Sequence, residues 1–150
     1  MRQDDYTESN KINEIALSKF RKTEYNRLLK CGESVSERER CGQALLNYLC
    51  EKFHMENVRL HVMDRPQKHR DDESGKTKIK IHGFYCTTRN ITIYNKTAKL
   101  AKVVAIKAFT ETLLHEFIHH YDHYCLKLWR SPHTSGFYHR LSDLQSKLKD

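Results

Sequence analysis

Apolar residues recur at helical spacing in four stretches of the chain, and they alternate at strand spacing between the second and third of these. Ile12, Ile15, Ala16, Phe20, Leu28 and Leu29 predict a helix over 10–30, capped by Ser9 or Asn10 and broken near Thr23. Ser36-Glu37-Arg38-Glu39 has the form of a capping box, and Cys41, Ala44, Leu45, Tyr48, Leu49 and Phe53 follow it on one face. Val58, Leu60 and Val62 alternate with Arg59 and His61, the period of a half-buried strand. Asp64 to Thr77 is charged and almost without apolar residues, which predicts a long loop and leaves open whether it acts as a lid. The β-rich runs 78–86 and 91–94, separated by Thr87-Thr88-Arg89-Asn90, predict a hairpin.

From about Val103 the period becomes helical again, through Val104, Ala108, Leu114, Phe117, Ile118 and Tyr121, until Ser131-Pro132 breaks it. Phe137, Leu141, Leu144 and Leu148 then mark a final helix. Two helices, a strand, a hairpin and two helices predict an α+β fold with a small antiparallel sheet packed against helices. A chain of 150 residues fits one domain, 1–150.

The long helix contains His115-Glu116-Phe117-Ile118-His119. Residues four apart on a helix lie about 40° apart around its axis and about 6 Å along it, so both imidazoles can reach one cation. Glu116 is placed to take a proton from water beside that cation. Zinc suits the set, because imidazole is a borderline-soft ligand and a tetrahedral ion with three protein ligands keeps one position open. Zinc lowers the pKa of water to about 7 and polarises a carbonyl, which points to hydrolysis of an amide.

A third ligand is required, and no Glu follows Glu116. In the HExxHxxGxxH pattern, Asp122 stands where Gly is needed and Cys125 where the third His belongs. His133, His139 and Asp143 are the main candidates, with Asp122 and His123 disfavoured because they continue the same helix. His133 is preferred, since it follows Pro132 where a chain reversal returns it over the motif. Asp122 is a candidate to orient a ligand imidazole. Tyr138, His139 and Arg140 are candidates to stabilise an oxyanion, with no choice among them. His120 and His123 are expected as polar surface, Trp129 as core or rim packing, and Cys125 as a buried thiol.

The segment Thr110–Tyr121, followed by His133-Thr134-Ser135-Gly136-Phe137, resembles the SprT-like metalloprotease domain, the family that includes the Spartan proteases. In that family a His-Gly-x-x-Phe segment after the motif helix supplies the third zinc ligand. The resemblance spans roughly residues 40–145, and extends to the hairpin through Gly83-Phe84-Tyr85 and Ile91-Thr92-Ile93-Tyr94. It implies a minimal zincin-like core over 36–150 behind a helical extension over 1–35. It further implies one zinc held by His115, His119 and His133, Glu116 as general base, and hydrolysis of peptide bonds. Proteins bound or crosslinked to DNA are the implied substrates. Thr134 stands where the family has Gly, and no Cys pair follows to build the zinc ribbon that many members carry.

Charge bears on the partner. Residues 1–75 balance 14 Lys/Arg against 14 Asp/Glu, whereas residues 76–150 carry 13 against 5 and supply the whole +8. A basic half attracts DNA or an acidic partner, or is a solubilising surface. A zinc-containing nucleic-acid-binding module with little turnover and a metal-dependent nuclease are the alternative functions. No run approaches the ~18 apolar residues of a membrane span, and no apolar leader is visible, so a cytoplasmic or nucleoid-associated protein is expected. The five cysteines include no CxxC pair and are expected as reduced, mostly buried thiols.

Overall fold

The alternation around residue 60 becomes strand β1 (Arg59–Pro66), in which Leu60 and Val62 are buried and their neighbours are not. The computed structural model describes residues 3–149, an α+β arrangement of five helices and a small mixed sheet. In chain order the other elements are helices α1 (Gln3–Lys11), α2 (Thr23–Leu29) and α3 (Val35–Lys52), strands β2 (Lys68–Asp71), β3 (Thr77–Ile81), β4 (Gly83–Cys86) and β5 (Asn90–Lys96), and helices α4 (Ile106–Tyr124) and α5 (Ser135–Lys149).

The sheet is mixed, which corrects the antiparallel expectation. Its order is β1-β5-β4, with β1 parallel to β5 and β4 antiparallel to it. The short β4–β5 turn commits β4 to one edge of β5, and β1 takes the other. Burial follows from this centre position: Ile91, Ile93, Tyr94 and Asn95 of β5 are all buried. The run 78–86 is two strands rather than one. It divides at His82, whose carbonyl accepts from Tyr94 N–H and whose ring meets buried Gln67 at 3.0 Å. Before the break, β3 pairs with β2 in a separate antiparallel ribbon, so the expected loop over 64–77 is in fact the end of β1 plus β2 and a tight turn. Backbone pairing supplies what the missing apolar residues do not.

The helix expected over 10–30 is also revised. Residues 12–22 are not helical, although Ile15 and Phe20 join the core. Their backbone N–H groups find partners elsewhere: Ile15 donates to Asp143, Ala16 to the Tyr121 hydroxyl and Arg21 to the Tyr48 hydroxyl. Tertiary acceptors have displaced the intrahelical ones. Ser34, not Ser36, caps α3 by accepting from Glu37 N–H, while Glu39 reaches across to Val62 N–H of β1. α3 lies close on β1: a side chain at Gly42 would place its Cβ 2.6 Å from a Leu60 methyl.

The core joins α2, α3, β1, β5, α4 and α5 around Leu45, Leu49, Ile91, Leu113, Phe117 and Leu144. Phe109, Leu113, Leu114, Phe117, Ile118 and Tyr121 fix the roll of α4, and that roll turns Thr112, His115 and His119 toward a cleft beside β4. The thiols are free, with Cys31, Cys41 and Cys50 buried, Cys86 exposed and Cys125 only half-buried. No helix among the described residues is long and apolar enough to cross a membrane.

Candidate metal centre

His115 and His119 stand one turn apart on α4, and His133 reaches them from the segment between α4 and α5. The Nε2 of His133 lies 3.2 Å from that of His115 and 3.0 Å from that of His119. A tetrahedral zinc with Zn–N bonds of about 2.0–2.1 Å sets its ligand nitrogens about 3.3 Å apart, close to both distances from His133, and all three ligand atoms lie within 4.8 Å of one another. Within the described residues this is the group of three that could hold a metal. His133 lies two residues before α5 rather than at its first turn.

Phe137, fully buried, forms a common floor under the triad. Its ring centroid lies 5.0, 4.6 and 5.1 Å from those of His115, His119 and His133. In the sequence Phe137 stands out only as part of a helical face and of the His133–Phe137 segment. Its spacing from His133 has a local cause: Thr134 Oγ1 accepts from Phe137 N–H, capping α5 and turning the ring back beneath the imidazoles.

A polar chain missed from the sequence fixes His119. The Ser131 hydroxyl donates to Asp122 Oδ2 at 2.7 Å and lies 2.8 Å from His119 Nδ1. With its own proton committed to Asp122, Ser131 accepts from His119 Nδ1–H, and that tautomer leaves the Nε2 lone pair free for a cation. Asp122 is held in turn by Arg140, which donates through Nε at 3.0 Å and Nη2 at 2.7 Å, both side chains having no solvent exposure. Asp122 therefore acts on His119 through Ser131 and not by direct contact.

Burial sets the protonation states. It is the main cause that lowers His115 to about 4 and His119 to about 3, with His133 and His82 adding to the effect on His115, and His115 and His133 to that on His119. Both are neutral near pH 7, as ligation requires. Burial raises Glu116 to about 7, opposed by the Tyr85 backbone N–H, and its carboxylate stands 3.8 Å from His115 Nε2.

The other ligand candidates do not join the triad. His139 pairs with Asn13 Oδ1, and Asp143 accepts from Ile15 N–H and Lys147. His123 faces the Leu128 carbonyl. Arg140, committed to Asp122, is removed from the oxyanion candidates, whereas Tyr138 is half-exposed with its ring 6.0 Å from that of His133. The expectation of a surface His120 is overturned: it is fully buried, bonded to the Tyr85 hydroxyl at Nδ1 and to the Glu56 carbonyl at Nε2. These bonds make it a strut between α4, β4 and the loop before β1. Trp129 is an exposed residue on the cleft rim.

The triad opens into a cleft of about 800 Å³. One wall is β3–β4, from Lys80 to Tyr85, and the opposite wall is Trp129 to His133. β4 is an edge strand, so its side away from β5 carries no strand partner. Comparison of the chain with protein-family models, with curated proteins and with solved structures returns no match, and its function has to be argued from this site.

Proposed function

We propose that the chain is a zinc-dependent peptidase of minimal zincin-like form, with His115, His119 and His133 as ligands and Glu116 as general base. The observation that carries this reading is the convergence of three imidazole Nε2 atoms beside a buried carboxylate in an open cleft. A zinc ion held there supplies Lewis acidity toward a carbonyl oxygen and acidifies water to a pKa of about 7. Glu116 takes the proton of the attacking water and passes it to the leaving nitrogen, a task suited to a group whose pKa lies near neutrality. Phe137 and the Ser131–Asp122–Arg140 chain keep the imidazoles in place while this occurs.

The cleft wall favours a polypeptide as substrate. An extended peptide can pair with the free edge of β4 and bring a carbonyl over the triad. In this reading DNA-associated proteins are the favoured substrates, drawn in by Lys68, Arg70, Lys78 and Lys80 on the exposed β2–β3 ribbon.

The test is Glu116→Gln. The variant is expected to retain zinc while cleavage of an unfolded protein such as casein falls by about 10²–10⁴-fold, the usual worth of a general base. Undiminished proteolysis in this variant overturns the role of Glu116. Cleavage of RNA instead of protein supports a nuclease, and zinc binding with no turnover of either supports a binding module.

A further inference from the structure

The N-terminal residues were expected to be an extension outside the catalytic core, yet they lie against the segment that presents His133. α1 is strongly polar, and Tyr6, its one large ring, is 44% exposed, so burial of apolar surface does not explain why it docks there. Its attachment is a set of directed bonds on either side of the third ligand. Before His133, Arg130 N–H donates to Asp5 Oδ2 at 3.1 Å. Immediately after it, the Thr134 and Ser9 hydroxyls meet at 2.7 Å, both side chains buried. Asn10 Oδ1 then accepts from the Ser135 hydroxyl at 2.9 Å and from Gly136 N–H at 3.2 Å, a cap for α5 supplied from outside that helix.

The fit is close enough to dictate a residue. A side chain at Gly136 would place its Cβ 2.0 Å from the Ser9 carbonyl oxygen, so only glycine lets the two backbones approach. Arg140 closes the arrangement by donating to the Ser9 and Ile12 carbonyls while holding Asp122. The same guanidinium thereby joins the N-terminal segment to the chain of bonds that orients His119.

We infer that residues Asp5–Asn10 are a positioning strap for the metal centre: they hold the segment 130–136 so that His133 Nε2 meets the two nitrogens already fixed on α4. The inference rests on the zinc site proposed above. An untethered third ligand pays the entropy of ordering its loop each time it binds metal, and the strap removes that cost in advance.

The experiment is a double-mutant cycle read by zinc affinity in chelator competition, which needs no turnover. Asn10→Ala combined with Asp5→Ala is expected to weaken zinc binding about 10–100-fold, the range found for residues that orient ligands. Asn10→Asp keeps the acceptor and is expected to restore most of the loss when it replaces Asn10→Ala. In a His133→Ala background the same pair of substitutions is expected to change zinc affinity by less than about twofold, because no third ligand remains to be positioned. Should the double substitution prevent folding, the single Asn10→Ala carries the same comparison. Unchanged affinity in the wild-type background, or an equal loss in both backgrounds, overturns the strap. Failure of the wild-type chain to bind zinc overturns the proposed site along with it, whereas tight wild-type binding with indifferent strap variants removes only the strap.

Discussion

His119 illustrates how much a single side chain depends on groups distant in sequence. Its place beside His115 follows from helical geometry, which is why the pair was legible in the sequence. Its tautomer depends on Ser131, whose hydroxyl is already committed to Asp122. No local pattern announces that link, because the reversal at Pro132 had to be built before Ser131 and Asp122 could meet. Ser131→Ala is therefore expected to weaken zinc binding about 10–100-fold with little change in the fold, measured by chelator competition and circular dichroism. Loss of His133 is expected to cost more than that, and loss of His139, which pairs with Asn13 away from the triad, almost nothing. The reverse order between the two histidines would reassign the third ligand. His120 was misread for a related reason: a histidine on a helix looks polar until its acceptor and donor, the Glu56 carbonyl and Tyr85 hydroxyl, are brought to it by other elements.

At the scale of elements, strong periodicity was the reliable guide. α3, α4, α5 and β1 appear close to where their apolar spacing placed them, since each buries the face that its pattern defined. The failures share a cause. Residues 12–22 have helical spacing but give their N–H groups to distant side chains, and β2–β3 is held by backbone pairing with exposed side chains on both strands. Parallel pairing of β1 with β5 is equally invisible locally, because neither strand's alternation encodes its neighbour. The junction of α4, α5 and the N-terminal segment is a buried ion pair, and such pairs are costly to break from one side. Arg140→Leu leaves Asp122 without its guanidinium and is expected to destabilise the protein by about 3–5 kcal/mol, seen as a lower midpoint in urea. A change below about 1 kcal/mol would mean that the pair is dispensable to the junction.

For the molecule as a whole, the buried histidines predict a direction of pH dependence in the metal-free state. His115 and His120 are lowered to about 4 and His119 to about 3, chiefly by burial, so between these values and 6.5 the unfolded chain binds protons that the folded chain does not. Acidification through that window favours unfolding, by up to about 1.36 kcal/mol per pH unit for each net proton taken up. Glu116, raised to about 7, and Asp122, also raised by burial, act in the opposite sense, the Glu116 contribution being lost as pH rises from 4.5, but two carboxyls are set against four imidazoles, since burial lowers His82 as well. Metal-free protein is thus expected to lose stability to urea as pH falls from 6.5 toward 4, and Glu116→Gln to lose it more steeply. A flat profile would contradict the burial of these groups.

The imidazoles of His115, His119 and His133 provide the most direct test of the centre itself. In crystals grown with zinc, an anomalous difference map at the zinc edge is predicted to show one strong peak per chain, about 2.0–2.1 Å from the Nε2 atoms of His115, His119 and His133. No peak there, or a peak held by other side chains, would contradict the account.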